Sequence, residues 1–204
     1  MQREEWDRKY AEKEQLWSLE PNRILVEEAA GLEPGRALDL ACGEGRHAIY
    51  LAQLGWCVTA ADFSEAAIAK ARKRAADAGV QVDFHCADVV GFDPEPGAFD
   101  LVLLFFLHLP ADERRAVLTR AAGALASGGT FLLVGHDLLN MSEGVGGPSD
   151  PDVLYTPEDI VGELPGLEIE KAERVLRDVE GADRAAIDAL VRARDAALIE
   201  RAGE

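Results

Sequence analysis

Asp39, Gly43, Glu44, Gly45, Asp62 and Asp88 are the residues of this 204-residue chain whose types and spacing could do chemistry together. Gly43 and Gly45, in "LDLACGEGRHA", permit a tight turn and let a ligand approach the backbone. A helix starting near Arg46 would aim its unpaired amides at the same place. Asp62 follows Gly43 by 19 residues. That is the spacing at which an acid closing a second strand holds ribose hydroxyls. A ribose-bearing ligand is the expectation, against the plainer alternative of a structural turn with an exposed aspartate.

Gly43, Gly45 and Ala48 also fit G-x-G-x-x-A, the fingerprint of a dinucleotide site. The acids argue against a diphosphate there. Asp39 sits within the first strand, Glu44 in the turn itself and Asp88 at the end of the third strand, and each would repel an anion. A site ringed by Asp39, Glu44, Asp62 and Asp88 suits a ligand that carries positive charge. S-adenosyl-L-methionine brings a ribose, an adenine, a sulfonium and an ammonium, and no phosphate.

Two histidines stand near other strand ends. His108, in "FLHLP", is a candidate base or a cap for the following helix. His136 and Asp137 could orient a substrate or fix the loop that follows. His47 and His85 read as structural, and His85, His108 and His136 lack the spacing of metal ligands, so no metal is expected.

The elements that must position these residues alternate in type. "RALDLA" (36–41), "CVTAAD" (57–62), "VQVDFHCADV", "FDLVLLFF" (99–106) and "TFLLVG" (130–135) read as strands. Between them come helices at "RHAIYLAQLG" (46–55), from Ser64 to Gly79, and from Pro110 to the Gly128-Gly129 stop. Alternation of this kind predicts a doubly wound parallel sheet, with ligands beyond the carboxyl ends of its strands. Before it, "REEWDRKYAEKEQLW" reads as a helix with Trp6 and Tyr10 on one face, and Pro21 opens a second helix. After it, "GVGGPSDP" (144–151) is a loop and candidate lid, and "TPED" (156–159) a helix start.

The bulk numbers narrow the field. Net charge is −17, from 38 acidic and 21 basic residues, so no basic face is available for nucleic acid or an anionic membrane. Cys42, Cys57 and Cys86 suggest neither a disulfide framework nor a zinc site, and Cys57 and Cys86 read as buried thiols on core strands. A charged start and no long apolar run make a reducing cytoplasm the expected location.

"ALDLACGEGRHAIYLA", "VTAADFS", "HCADV" and "FDLVLLFFLHLP" resemble the ordered motifs of class I S-adenosylmethionine-dependent methyltransferases. The nearest likeness is to small bacterial tellurite-resistance and thiopurine-type enzymes, whose N-terminal pattern is matched by Trp6, Tyr10, Trp17, Pro21 and Asn22. The resemblance implies an α/β, Rossmann-like, mostly parallel seven-stranded sheet whose last strand is antiparallel, with strands six and seven at 167–178 and 185–194. It implies one domain over 1–204, with a helical extension over the cofactor at 1–32 and an insertion near the acceptor at 137–166.

Site roles follow from the same resemblance. Ala41 and the Gly43–Gly45 turn, with Glu44, would underlie the methionine portion, and Asp39 would face its ammonium. Asp62 would hold the ribose, Phe63 pack on adenine, Asp88 accept from its amino group and Val89 read the ring edge. Phe105 would border the sulfonium, while Tyr10 and Trp17 close the cofactor in. The implied partner is a small-molecule methyl acceptor, with a thiol, a selenium or tellurium oxyanion, or a small metabolite all open, and the protein a monomer or homodimer. An NAD-dependent oxidoreductase and a non-catalytic nucleoside-binding domain of the same fold are the alternatives.

Overall fold

The apolar runs predicted as strands build the centre of the molecule in a computed structural model that describes residues 3–196. Seven strands lie in the order β3-β2-β1-β4-β5-β7-β6. They are β1 (Arg36–Leu40), β2 (Cys57–Asp62), β3 (Asp83–Cys86), β4 (Phe99–Phe105), β5 (Leu125–His136), β6 (Leu167–Arg177) and β7 (Ala186–Asp195). The seven-stranded α/β architecture is as the resemblance implied, and β7 runs antiparallel to both of its neighbours. Contacts group the chain into two compact units, one ending at Asp93 and one beginning at Pro94.

In the first unit β1, β2 and β3 pair in parallel. Helices α1 (Arg3–Glu12), α2 (Arg23–Ala29), α3 (Arg46–Gln53) and α4 (Glu65–Asp77) belong to it. Ser64 caps α4 by accepting from the Ala67 amide at 3.1 Å, and the helix buries Ala67, Ile68, Ala71 and Ala75. Asn22, accepting from Ile24, is the cap of α2, so Pro21 lies one residue outside the helix that it was expected to open. Helix α1 stops at Glu12, and residues 13–17 continue as an irregular strap.

In the second unit β4 pairs in parallel with β5, and α5 (Ala111–Gly123) joins them. Strand β4 is buried along all its length except Asp100. Gly128 and Gly129 do not stop α5, which ends at Gly123; they lie within β5. Register shifts between Phe99 and Leu101 of the partner strand, and a Cβ on Gly129 would stand 2.8 Å from the Phe99 carbonyl oxygen. The pair therefore builds a bulge that only glycine backbone can fill. Short helices α6 (Asn140–Glu143) and α7 (Pro157–Gly162) follow β5, the latter held by a reciprocal cap between Thr156 and Asp159.

The cysteines differ from expectation. Cys57 and Cys86 are exposed, one at the start of β2 and one at the end of the short β3, and Cys42 alone is buried. Among the described residues no helix is long and apolar enough to cross a membrane, and no cluster of side chains is arranged to hold a metal.

Candidate functional site

In the first unit the end of β1 turns through three left-handed residues, Ala41 (φ 61°), Gly43 (φ 55°) and Gly45 (φ 80°). Glycine takes this conformation freely, whereas alanine does so at a cost. Gly45 opens α3 with no side-chain cap, so the first amides of that helix face the turn. A Cβ on Gly43 would stand 2.8 Å from the Tyr10 hydroxyl, which means that α1 covers the turn closely.

Asp39 precedes this turn and is 1 % exposed. Neither of its oxygens has a well-formed hydrogen bond. Burial, then the charge of Asp62, pushes its pKa up to about 7, with only partial relief from Arg46 and the Ala48 amide. A buried carboxylate so weakly compensated is costly to the free protein, and a cation or a set of donors brought by a ligand would relieve it. Asp62 differs. It accepts from the Gly43 amide and the Ser64 amide, each at 2.9 Å, so it ties the end of β2 to the glycine turn while keeping lone pairs for further donors.

Glu44 is turned away from the role expected of it. Its carboxylate pairs with Lys70 at 3.3 Å and Arg74 at 3.1 Å, both on α4, and accepts from the Leu16 and Trp17 amides. Its charge is balanced within the protein, whereas Asp39 has only the partial relief of Arg46 and the Ala48 amide. Lys70 also donates to the Tyr10 and Lys13 carbonyls, and Asp7 accepts from the Ser64 hydroxyl at 2.6 Å and the Ala66 amide at 3.1 Å. Together these contacts hold residues 3–17 against α4. Trp17 donates its indole N–H to the Tyr10 hydroxyl at 3.2 Å, and Trp6 stacks on Tyr10. Tyr10 is buried and Trp17 is 45 % exposed.

The remaining residues expected around an adenine lie at the ends of β2 and β3. Phe63 is half-buried, Val89 buried and Asp88 exposed, with an Asp88 oxygen accepting from the Val90 amide at 2.9 Å.

The second unit holds Phe105, buried at the end of β4, and then Phe106 with φ 58°. The two expected histidines come together here. His108 and His136 stack with ring centroids 5.4 Å apart, and His108 stacks in turn on Tyr155. Burial, and then the charge of His136, brings the His108 pKa down to about 4. Its ring nitrogens lack a well-formed hydrogen bond, the Val153 backbone being the nearest partner. His108 is therefore neutral near pH 7 and packs as a ring among its aromatic neighbours.

Sequence reasoning missed Asp188 and Arg177. Register sets Asp188 of β7 directly across from His136 of β5, and the two side chains approach to 3.2 Å. Arg177 of β6 donates to the other face of Asp188 at 2.6 and 3.3 Å. Burial alone would raise the Asp188 pKa, but His136 and Arg177 outweigh it and hold it below the ordinary carboxylate value. The loop expected as a lid is seated on this group: a Cβ on Gly147 would meet the His136 ring at 2.8 Å. His47 and His85 stand apart, His47 buried in α3 and His85 paired with Asp83 on β3.

Residues 37–129 match the family described as "Methyltransferase domain". The curated relatives include a ubiquinone biosynthesis O-methyltransferase of Pseudomonas aeruginosa, 37 % identical over 109 residues that make up 52 % of this chain and 47 % of that protein. One from Xanthomonas campestris is 33 % identical over 120 residues, 58 % of this chain and 50 % of that one. The chain spans about half the length of the curated relatives it matches. Among solved structures, the N-methyltransferase NodS of Bradyrhizobium japonicum, bound to S-adenosyl-L-homocysteine, aligns with TM-score 0.74 and 19 % identity over 95 % of this chain and 97 % of that one. TehB of Haemophilus influenzae aligns with TM-score 0.74 and 18 % identity, covering 93 % and 67 %. At these identities the likeness to both is one of fold.

Proposed function

We propose that this chain, a class I S-adenosylmethionine-dependent methyltransferase through its domain at residues 37–129, transfers a methyl group to a small organic acceptor. The observation that carries the reading is the buried carboxylate of Asp39, without a well-formed hydrogen bond, beside a glycine turn. An ammonium supplies the charge that this carboxylate lacks, and a diphosphate would worsen its position. The dinucleotide alternative is disfavoured on that ground.

When bound, S-adenosylmethionine supplies an electrophilic methyl on a sulfonium. The protein's own work is alignment and exclusion of water. Asp39 holds the ammonium, and the Gly43 backbone lies under the methionine portion. Asp62 offers its free lone pairs to the ribose, with Phe63, Asp88 and Val89 around the adenine and Phe105 toward the methyl. Tyr10 and Trp17 shield the turn from solvent. Ala41 sets the direction of the chain into it. Glu44 contributes by anchoring the strap rather than by touching a ligand, because its four polar contacts are all internal. In the second unit Phe106 packs on His136, His136 on His108 and His108 on Tyr155, and this run of rings favours an organic acceptor over a bare inorganic ion.

Isothermal titration with S-adenosylmethionine, S-adenosylhomocysteine and NAD tests the reading. Binding of the first two and not of NAD is expected. Binding of NAD without S-adenosylhomocysteine would overturn it, and binding without methyl release onto any acceptor would favour the non-catalytic alternative.

A further inference from the structure

We propose that residues 144–149 are a lid on the second unit, latched by Asn140, and that its opening admits a ring-bearing ligand with a hydroxyl or amine to His108 and His136. That this ligand is the methyl acceptor rests on the reading above; the lid itself does not.

Three ring nitrogens lie under the lid. Both nitrogens of His108 and Nδ1 of His136 are buried without a well-formed hydrogen bond. The Val153 backbone is the nearest partner of His108, and an Asp188 oxygen lies 3.2 Å from Nδ1 of His136. His108 stacks on His136 and on Tyr155, and Phe106 packs on His136. All of these residues belong to the second unit. Rings whose polar atoms are closed from water and poorly bonded are costly, and a ligand that both stacks and hydrogen-bonds relieves them.

The loop closes this cluster. A Cβ on Gly147 would stand 2.8 Å from Cγ and Cδ2 of His136, so the loop backbone lies directly on the ring. Asn140, 3 % exposed, fastens it. Its Oδ1 accepts from the Ile187 amide at 2.8 Å, and its Nδ2 donates to the carbonyls of Gly146 at 2.8 Å and Val145 at 3.5 Å. One carboxamide thus ties the loop to the start of β7. None of residues 144–149 is buried, so little apolar packing holds the loop down. Its two ends are fixed. Asp137 accepts from the Leu139 amide at 2.8 Å before it, and Asp150 accepts from the Asp152 amide at 3.0 Å after it. Between these points Gly146 and Gly147 take φ 72° and 81°, which gives the backbone freedom to swing.

Acylation of histidines by diethyl pyrocarbonate tests the lid, read residue by residue by mass spectrometry on the whole chain. His85, half-buried on β3, and His47, buried in α3, are the internal standards. In the unmodified chain His108 and His136 are expected to react faster than His47, because the lid opens without unfolding of the unit. His108 reacting no faster than His47 overturns the proposal. Asn140→Asp keeps the acceptor for Ile187 and loses the donor to the loop. It is expected to raise the rates at His108 and His136 by about tenfold or more, with His47 and His85 unchanged. Gly147→Ala, whose methyl pushes the loop off the ring, is expected to act in the same direction with the latch intact. Unchanged rates in both variants, or an equal rise at His47, overturn the proposal.

Phenol is the probe for the ligand. It is expected to slow acylation of His108 and His136 by about threefold or more, and toluene, which lacks the hydroxyl, to slow it less. Protection by neither, or by both equally, overturns the ligand class. No cofactor is present, so these outcomes are independent of the titration that tests the methyltransferase reading.

Discussion

The carboxylate of Asp62 accepts the amide proton of Gly43 at 2.9 Å, so the acid that ends β2 sets the shape of the turn that ends β1. Asp62→Ala should therefore act twice. It removes the proposed ribose contact and frees two buried amides, those of Gly43 and Ser64, each loss worth about 1–3 kcal/mol. Titration with S-adenosylhomocysteine should show affinity lost, and thermal unfolding of the free protein should show stability lost. A variant that loses stability while binding S-adenosylhomocysteine as before would remove the ribose assignment.

Asp39 links cofactor binding to pH. Its pKa in the folded protein, about 7, lies above the ordinary 3.8. The folded state thus holds the proton more tightly than the unfolded chain. The stability this group contributes is full below pH 3.8, is lost as pH rises to about 7, and is absent above. Asp39→Asn should stabilise the free protein at pH 8 and flatten this dependence. An ammonium favours the ionised form, so binding of S-adenosylmethionine below pH 7 should release protons. Calorimetry in buffers of different ionisation heats measures that release, and a heat independent of buffer would contradict it.

Ala41 carries the strain of this turn, at φ 61°. Ala41→Gly should raise stability by roughly 1 kcal/mol, by relieving a left-handed alanine, and leave S-adenosylhomocysteine affinity near its original value. Ala41→Val should lower both. Chemical denaturation of the two variants decides the sign.

Gly43→Ala should displace α1, because the added methyl would stand 2.8 Å from the Tyr10 hydroxyl. Affinity for S-adenosylhomocysteine should fall by about tenfold or more, through lost positioning and a strained positive φ. Tyr10→Phe in the same chain removes the oxygen and should restore part of the loss. A double variant no better than Gly43→Ala alone would mean that backbone strain carries the whole effect.

The sequence displayed its core strands because β1, β2, β4 and β5 are apolar runs bounded by breakers. It offered the candidate cofactor residues because glycines and acids fall at fixed offsets from those strand ends. Strand β7 was opaque to local propensity, which alone reads its alanine- and arginine-rich stretch as helix; the resemblance implied a strand there, and its residues are buried almost throughout between β5 and β6. Gly128 and Gly129 misled because the same residues that end helices also make bulges. The partners of Glu44 were hidden, because Lys70 and Arg74 reach it only once α4 packs beside the turn. Asp188 and Arg177 could not be found by spacing, since a strand register brings them to His136 and a one-residue slip would face them the other way.

Asp7 has a consequence beyond holding the strap. It accepts from the Ser64 hydroxyl and the Ala66 amide, so the first turn of α4 is capped in part by a residue of another helix. Departure of α1 would uncover that turn. Amide hydrogen exchange at Ala66 then becomes a built-in clock for how often the region over the glycine turn opens, legible without any label on the strap.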